Sequence, residues 1–133
     1  MRTKYFFKIK NAVEKYLSRM RKISAVTLET KDIECIVSYY ERLGFEVKYS
    51  KEGNFVSLSF GDCFLNFVLN KELCPPTIKG RIIFHVEDVN IFYEKIVAAG
   101  IKPDMSPSDA RWGERYFHVT DPDGNEISFA KPL

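Results

Sequence analysis

The chain has 133 residues, 45% of them hydrophobic and 29% charged, with a formal net charge of +2. This is the length of one domain with enough apolar material for a core, and the composition is ordinary for a globular protein. No apolar run approaches a membrane span, and the basic N-terminus lacks a continuous apolar region with a small-residue cleavage site. The three cysteines, Cys35, Cys63 and Cys74, show no Cys-x-x-Cys spacing. They are expected to be reduced thiols of a cytoplasmic protein, with Cys35 and Cys63 as packing residues.

The charge is uneven. Residues 1–22 hold eight Lys or Arg against one acid, a balance of +7, which leaves −5 for the remainder. Within that segment Phe6, Ile9, Val13, Tyr16 or Leu17, and Met20 recur at helical spacing, predicting an amphipathic helix over Tyr5 to Met20. Such a helix docks on the domain or on a second subunit. The other reading is binding to nucleic acid or to an anionic membrane surface; docking is the expectation, with no membrane partner and no nucleic acid, and the basic character belongs to this appendage rather than to the domain.

From Ile23 the pattern is β-α-β-β-β. Ala25 to Thr30 alternates as a strand. Asp32 is placed to cap a helix that runs to Leu43 with Ile33, Ile36, Val37, Tyr40 and Leu43 inward, and Gly44 ends it. Phe45 to Tyr49, Phe55 to Phe60 and Phe64 to Leu69 read as strands separated by Gly-containing turns. Lys71 to Lys79 contains Pro75-Pro76 and is expected to link two halves.

The second half repeats the first. Arg81 to Val86 is a strand, Asp88 caps a helix, and Gly100 ends it. A shift of 56 residues aligns Val26 with Ile82, Leu28 with Phe84, Ile33 with Val89, Ile36 with Phe92 and Phe45 with Ile101, which indicates an internal duplication. Ile101 to Met105 is predicted as a short edge strand, and Ser106 to Arg111 as a loop. Tyr116 to Thr120 and Glu126 to Ala130 alternate on either side of Asp121-Pro122-Asp123-Gly124-Asn125, a turn in which Pro presets φ and Gly supplies φ > 0. The resulting organisation is a basic helix over 1–22 and a domain over 23–133, with modules 23–70 and 80–133 and a linker 71–79.

Trp112-Gly113-x-Arg115-x-Phe117, followed by Asp121-Pro122-x-Gly124-Asn125 and a short last strand, resembles the closing hairpin of the glyoxalase / bleomycin-resistance / dioxygenase (vicinal oxygen chelate) superfamily. The turn alone is common in β proteins; its place at the end of a duplicated chain makes it specific. The resemblance covers residues 23–133. It implies an α+β fold in which two tandem βαβββ modules form a cup-shaped sheet that holds a ligand, commonly completed by a homodimer.

Strand parity divides the side chains. Val56, Leu58, Leu65, Phe67, Phe117, Val119, Ile127 and Phe129 belong under the helices. The opposite face carries Glu29, Phe55, Phe64, Asn66, Arg81, His85, Tyr116, His118, Glu126 and Ser128. Charged groups together with Phe55, Phe64, Tyr116 and the loop residue Trp112 suit a small-molecule pocket.

Metal-dependent members of the family place His or Glu at positions that fall here on Ala25, Asn66, Arg81 and Ser128. None is a usual first ligand for zinc, iron or manganese, and Arg81 puts a fixed cation where the metal would sit. Glu29, His85, His118 and Glu126 share the face and are the candidates for a displaced site. No cofactor is expected. Arg81 is either the partner of an anionic ligand or ion-paired with Glu29 or Glu126. Arg115 is a second candidate, although its parity with Phe117 puts it nearer the helix side or the rim. Trp112 either stacks on a planar ligand or plugs the end of the core or an interface.

The resemblance is nearest to the metal-free bleomycin-resistance type, through Trp112, Arg115 and Tyr116. The expected function is therefore sequestration of an anionic or aromatic small molecule, with no catalytic residue assigned. The alternatives are a lyase, isomerase or dioxygenase using the displaced site or His85 or His118 as acid–base, and an interaction protein acting through its basic helix.

Overall fold

A computed structural model describes residues 20–74 and 80–133. The expected N-terminal helix up to residue 19, and residues 75–79 of the expected linker, lie outside the described residues. The first module comprises β1 (Ala25–Thr30), α1 (Ile33–Arg42), β2 (Glu46–Lys51), β3 (Phe55–Phe60) and β4 (Cys63–Leu69). The second comprises β5 (Arg81–His85), α2 (Val89–Ala98), β6 (Ser108–Asp109), β7 (Glu114–Thr120) and β8 (Glu126–Pro132). Each forms its own four-stranded sheet, ordered β1-β4-β3-β2 and β5-β8-β7-β6. In both, the first strand runs parallel to the last and the others pair antiparallel. The shared topology matches the sequence duplication.

Both helices start and stop by the same local chemistry. The Asp32 carboxylate accepts the Cys35 N–H at 3.0 Å, and Asp88 accepts the Ile91 N–H at 3.0 Å. A cap of this kind is worth about 1 kcal/mol. At the far ends Gly44 and Gly100 take φ of +102° and +90°, conformations that a Cβ would strain.

Two sequence expectations are corrected. Ile101 to Met105 forms no strand; the edge strand is β6, at Ser108–Asp109. Ile101 is instead drawn into the core at the end of α2, where its N–H bonds Ile96 O at 3.0 Å, and Pro103 has no N–H to give a ladder. Cys35 and Cys63 do not pack inside: all three cysteines are exposed and unbridged. Cys35 lies on the outer side of α1, and Cys63 begins β4 next to the Gly61-Asp62 turn. Among the described residues no helix is long and apolar enough to cross a membrane.

The two modules share one core. Ile36, Tyr40, Leu43, Phe45, Val56, Leu58, Leu65 and Phe67 from the first meet Val89, Ile96, Phe117, Val119, Ile127 and Phe129 from the second. The rings of Phe45 and Phe84 touch across the junction at 5.5 Å. Because the helix-bearing faces point into this core, each sheet's other face looks away from it.

A polar knot closes the junction. Tyr40 Oη donates to Asp121 Oδ2 at 2.7 Å, and Tyr39 Oη donates to Thr120 O at 3.3 Å. Asp121 Oδ1 accepts the N–H groups of Asp123 and Asn125, each at 2.9 Å, while Asn125 Nδ2 donates to Oδ2 at 3.0 Å. Lys31 N–H reaches Asp123 Oδ1 at 3.2 Å. Burial raises the Asp121 pKa above its ordinary value, and these hydrogen bonds only partly offset it. The Tyr40 hydroxyl is pushed well up, by burial first and by the Asp121 charge second.

Tyr40→Phe should destabilise the fold by about 1–3 kcal/mol, because it leaves a buried carboxylate oxygen short of a donor; urea unfolding measures this, and a neutral result would deny the knot its role. Asp121 also predicts a pH effect. A raised native pKa means that the folded chain holds the proton more tightly than the unfolded chain. This contribution is full below pH 3.8 and is lost as pH rises through the raised value. The native chain's stability margin over Asp121→Asn should therefore be largest in acid and shrink toward neutrality; a margin that grows with pH would contradict the assignment.

Candidate functional site

The open face of the second sheet forms a hollow of about 300 Å³. Register makes it. Arg81 lies opposite Glu126, and Ile83 opposite Ser128, while His118 on β7 pairs with Ser128 on β8. Strand alternation then points Glu114, Tyr116 and His118 from β7 into the same space. Trp112, in the turn before β7, overhangs it. Every lining residue comes from the second module.

The polar groups are bound in short chains. Trp112 Nε1 donates to Glu114 Oε1 at 3.0 Å, and His85 Nε2 bonds Glu114 Oε2 at 2.8 Å. His118 Nδ1 lies 2.7 Å from Asp104 Oδ2, which also accepts from Thr120 Oγ1 at 2.8 Å. Asp104 N–H donates to His118 O at 3.0 Å and so fixes this pair from the backbone. Arg81 Nε sits 3.7 Å from Glu126 Oε2, a loose pair, and 70% of the Arg81 side chain is exposed. Glu126 Oε1 lies 3.8 Å from His118 Nδ1. The charged groups that line the hollow are the carboxylates Glu114 and Glu126, the Arg81 guanidinium and the His118 imidazole. Rings complete the wall: Trp112 and Tyr116 are 5.2 Å apart, and Tyr116 stacks on His118 at 6.5 Å.

The structure thus brings together Arg81, Trp112, Tyr116, His118, Glu126 and Ser128, with His85 joined to them through Glu114. It does not bring Glu29, Phe55, Phe64 and Asn66 into that hollow. These occupy the open face of the first sheet, where Asn66 Nδ2 contacts Thr27 Oγ1 at 3.4 Å and Glu29 accepts from Asn70 at 3.2 Å. Arg115 does not line the hollow either. It points to the helix side, with Nε donating to Asn90 Oδ1 and Nη1 to Asp109 Oδ1, both at 3.0 Å, as parity with Phe117 requires. Sequence reasoning missed Glu114 and Asp104. Extending the β7 alternation back by two residues would have found Glu114. Asp104 follows Pro103 in an irregular loop and carries no periodic signal.

The four residues considered for a displaced metal site do not converge on one point. Glu29 is on the other sheet, His85 is taken by Glu114, and among the described residues no group of three His, Cys, Asp or Glu side chains is arranged to hold an ion. The family's usual metal positions do not fit either: Ala25 offers no donor, and Arg81 is a permanent cation beside Ser128 and Asn66, which are weak ligands.

A duplicated βαβββ chain with a mixed aromatic and charged hollow on one sheet defines a class of paired-module binding folds. The profile of the Glyoxalase/Bleomycin resistance protein/Dioxygenase superfamily matches residues 22–129, and the chain belongs to that superfamily. A bleomycin resistance protein from Klebsiella pneumoniae is 27% identical over 104 residues, covering 73% of this chain and 82% of that protein. The crystal structure of a bleomycin-binding protein complexed with bleomycin superposes with a TM-score of 0.74 at 23% identity, covering 86% of this chain and 100% of the other. A lactoylglutathione lyase from Agrobacterium tumefaciens shares the fold with a TM-score of 0.69 at 17% identity, covering 84% and 93%.

Proposed function

We propose that the chain binds and sequesters a flat organic molecule without metal, in a groove formed when the second-module hollow of one protomer meets the first-module sheet of another. The observation that carries this reading is the one-sidedness of the hollow: it has rings, charges and a floor, but all from one module. About 300 Å³ is the low end for a small-molecule site, so one protomer covers one side of a ligand. The first sheet supplies a fitting lid, since Tyr49, Phe64 and Val68 leave its open face with exposed apolar area.

Glu114 and Glu126 line the hollow beside Arg81, so it offers acceptors as well as a cation to a ring system. Arg81, loosely paired, remains available to an acidic substituent. Trp112 and Tyr116 supply the stacking surface.

Metal-free bleomycin is the first probe, because it is what the similar proteins are named for. Calorimetric titration should give saturable binding at one ligand per half-groove, unchanged after chelator treatment of the protein. Sedimentation should give the mass of two chains. Trp112→Ala should weaken binding by about 2 kcal/mol, roughly thirtyfold, as loss of a central aromatic anchor does. A monomer that binds no bleomycin would overturn the reading.

A further inference from the structure

We propose that Glu114 is a positioning residue: its carboxylate fixes the Trp112 indole as the aromatic wall of the hollow, and so makes the site selective for flat ligands. The proposal rests on reading the hollow as the ligand site.

The backbone around Trp112 is well tied. Ala110 N–H bonds Glu114 O at 2.7 Å, Gly113 N–H bonds Ala110 O at 3.1 Å, and Leu133 N–H bonds Gly113 O at 2.9 Å. Gly113 takes φ of +91°, and a Cβ there would meet nothing within 4 Å, so glycine serves the turn rather than the space. These bonds place the Cα of Trp112 but not its ring. Trp112 is 65% exposed, so little packing is available to choose its rotamer. Two contacts are available: the Tyr116 ring at 5.2 Å, and the hydrogen bond from Nε1 to Glu114 Oε1 at 3.0 Å.

Glu114 can hold the ring because it is itself held. It sits at the start of β7, its side chain is 18% exposed, and its second oxygen bonds His85 Nε2 at 2.8 Å. The result is a brace from β5 through one carboxylate to the indole. A charged acceptor makes the stronger hydrogen bond to the indole N–H, and prior ordering of the ring removes that cost from ligand binding.

Trp112 is the chain's single tryptophan, so its fluorescence anisotropy decay, excited at the red edge where tyrosine is silent, reads this ring alone. The native chain should show only the slow decay of overall tumbling. Glu114→Met, which keeps the stem and removes the acceptor, should add a fast component from nanosecond ring motion. Glu114→Gln, which retains an acceptor oxygen, should stay near the native decay. Circular dichroism and melting temperature check that the variants fold. If Glu114→Met does not fold, His85→Ala, which frees one end of the brace, should show a fast component of smaller amplitude. A folded Glu114→Met or His85→Ala with the native decay would overturn the proposal. In a second arm Glu114→Met should weaken bleomycin binding by about tenfold and Glu114→Gln by less. Anisotropy that behaves as stated, in a chain that binds no bleomycin, would leave the brace standing and refute the proposed ligand instead.

Discussion

The Asp121 carboxylate is the point on which the rest of the structure depends. It organises the turn between β7 and β8 by accepting two backbone N–H groups, and it ties that turn to the first module through Tyr40. A buried carboxylate is costly unless its lone pairs are filled. Here four donors converge on it, two from the turn backbone, one from Asn125 and one from the helix of the other module. Moving either module would unmake part of that set. The hairpin that carries Tyr116, His118, Glu126 and Ser128 is therefore held in one orientation relative to the shared core.

That orientation decides what kind of site the chain has. Both helices and both apolar sheet faces are used up in a single core, so each module shows its remaining face to the outside. One of these faces is charged and ringed with aromatics. The other leaves Tyr49, Phe64 and Val68 exposed. Within a single chain the hollow is lined by the second module alone. The groove proposed above follows from this arrangement, since a second copy provides the missing wall without any change in the fold.

The side chains of the hollow that could serve as metal ligands are already engaged with one another. A divalent ion needs several anionic or imidazole donors meeting at one point. This chain has imidazoles and carboxylates in the hollow, but they are spent on each other: His85 on Glu114, His118 on Asp104. The effect is to stiffen the walls. Arg81, where a ligand to the ion would stand in metal-dependent relatives, offers a positive charge in its place.

Much of this was legible in the sequence. The duplicated Asp-to-Gly helix frame, the strand parity of Phe117 and Phe129, and the Asp121–Asn125 turn are local signals, since caps, alternation and turn chemistry act over a few residues. They fixed the fold class, the core and the side of each strand on which Arg81, Tyr116 and His118 lie. They also put Arg115 at the helix side or the rim rather than on the open face. What they could not supply was distance between elements. Only the tertiary structure decided that Glu29, Phe55, Phe64 and Asn66 stay out of the hollow that Arg81 lines, and that Glu114 joins Trp112 to His85. It likewise decided that Asp104 reaches His118 from an irregular loop. Those facts depend on how two modules pack across a buried junction, where side chains far apart in sequence satisfy one another, and no periodicity along the chain records that choice.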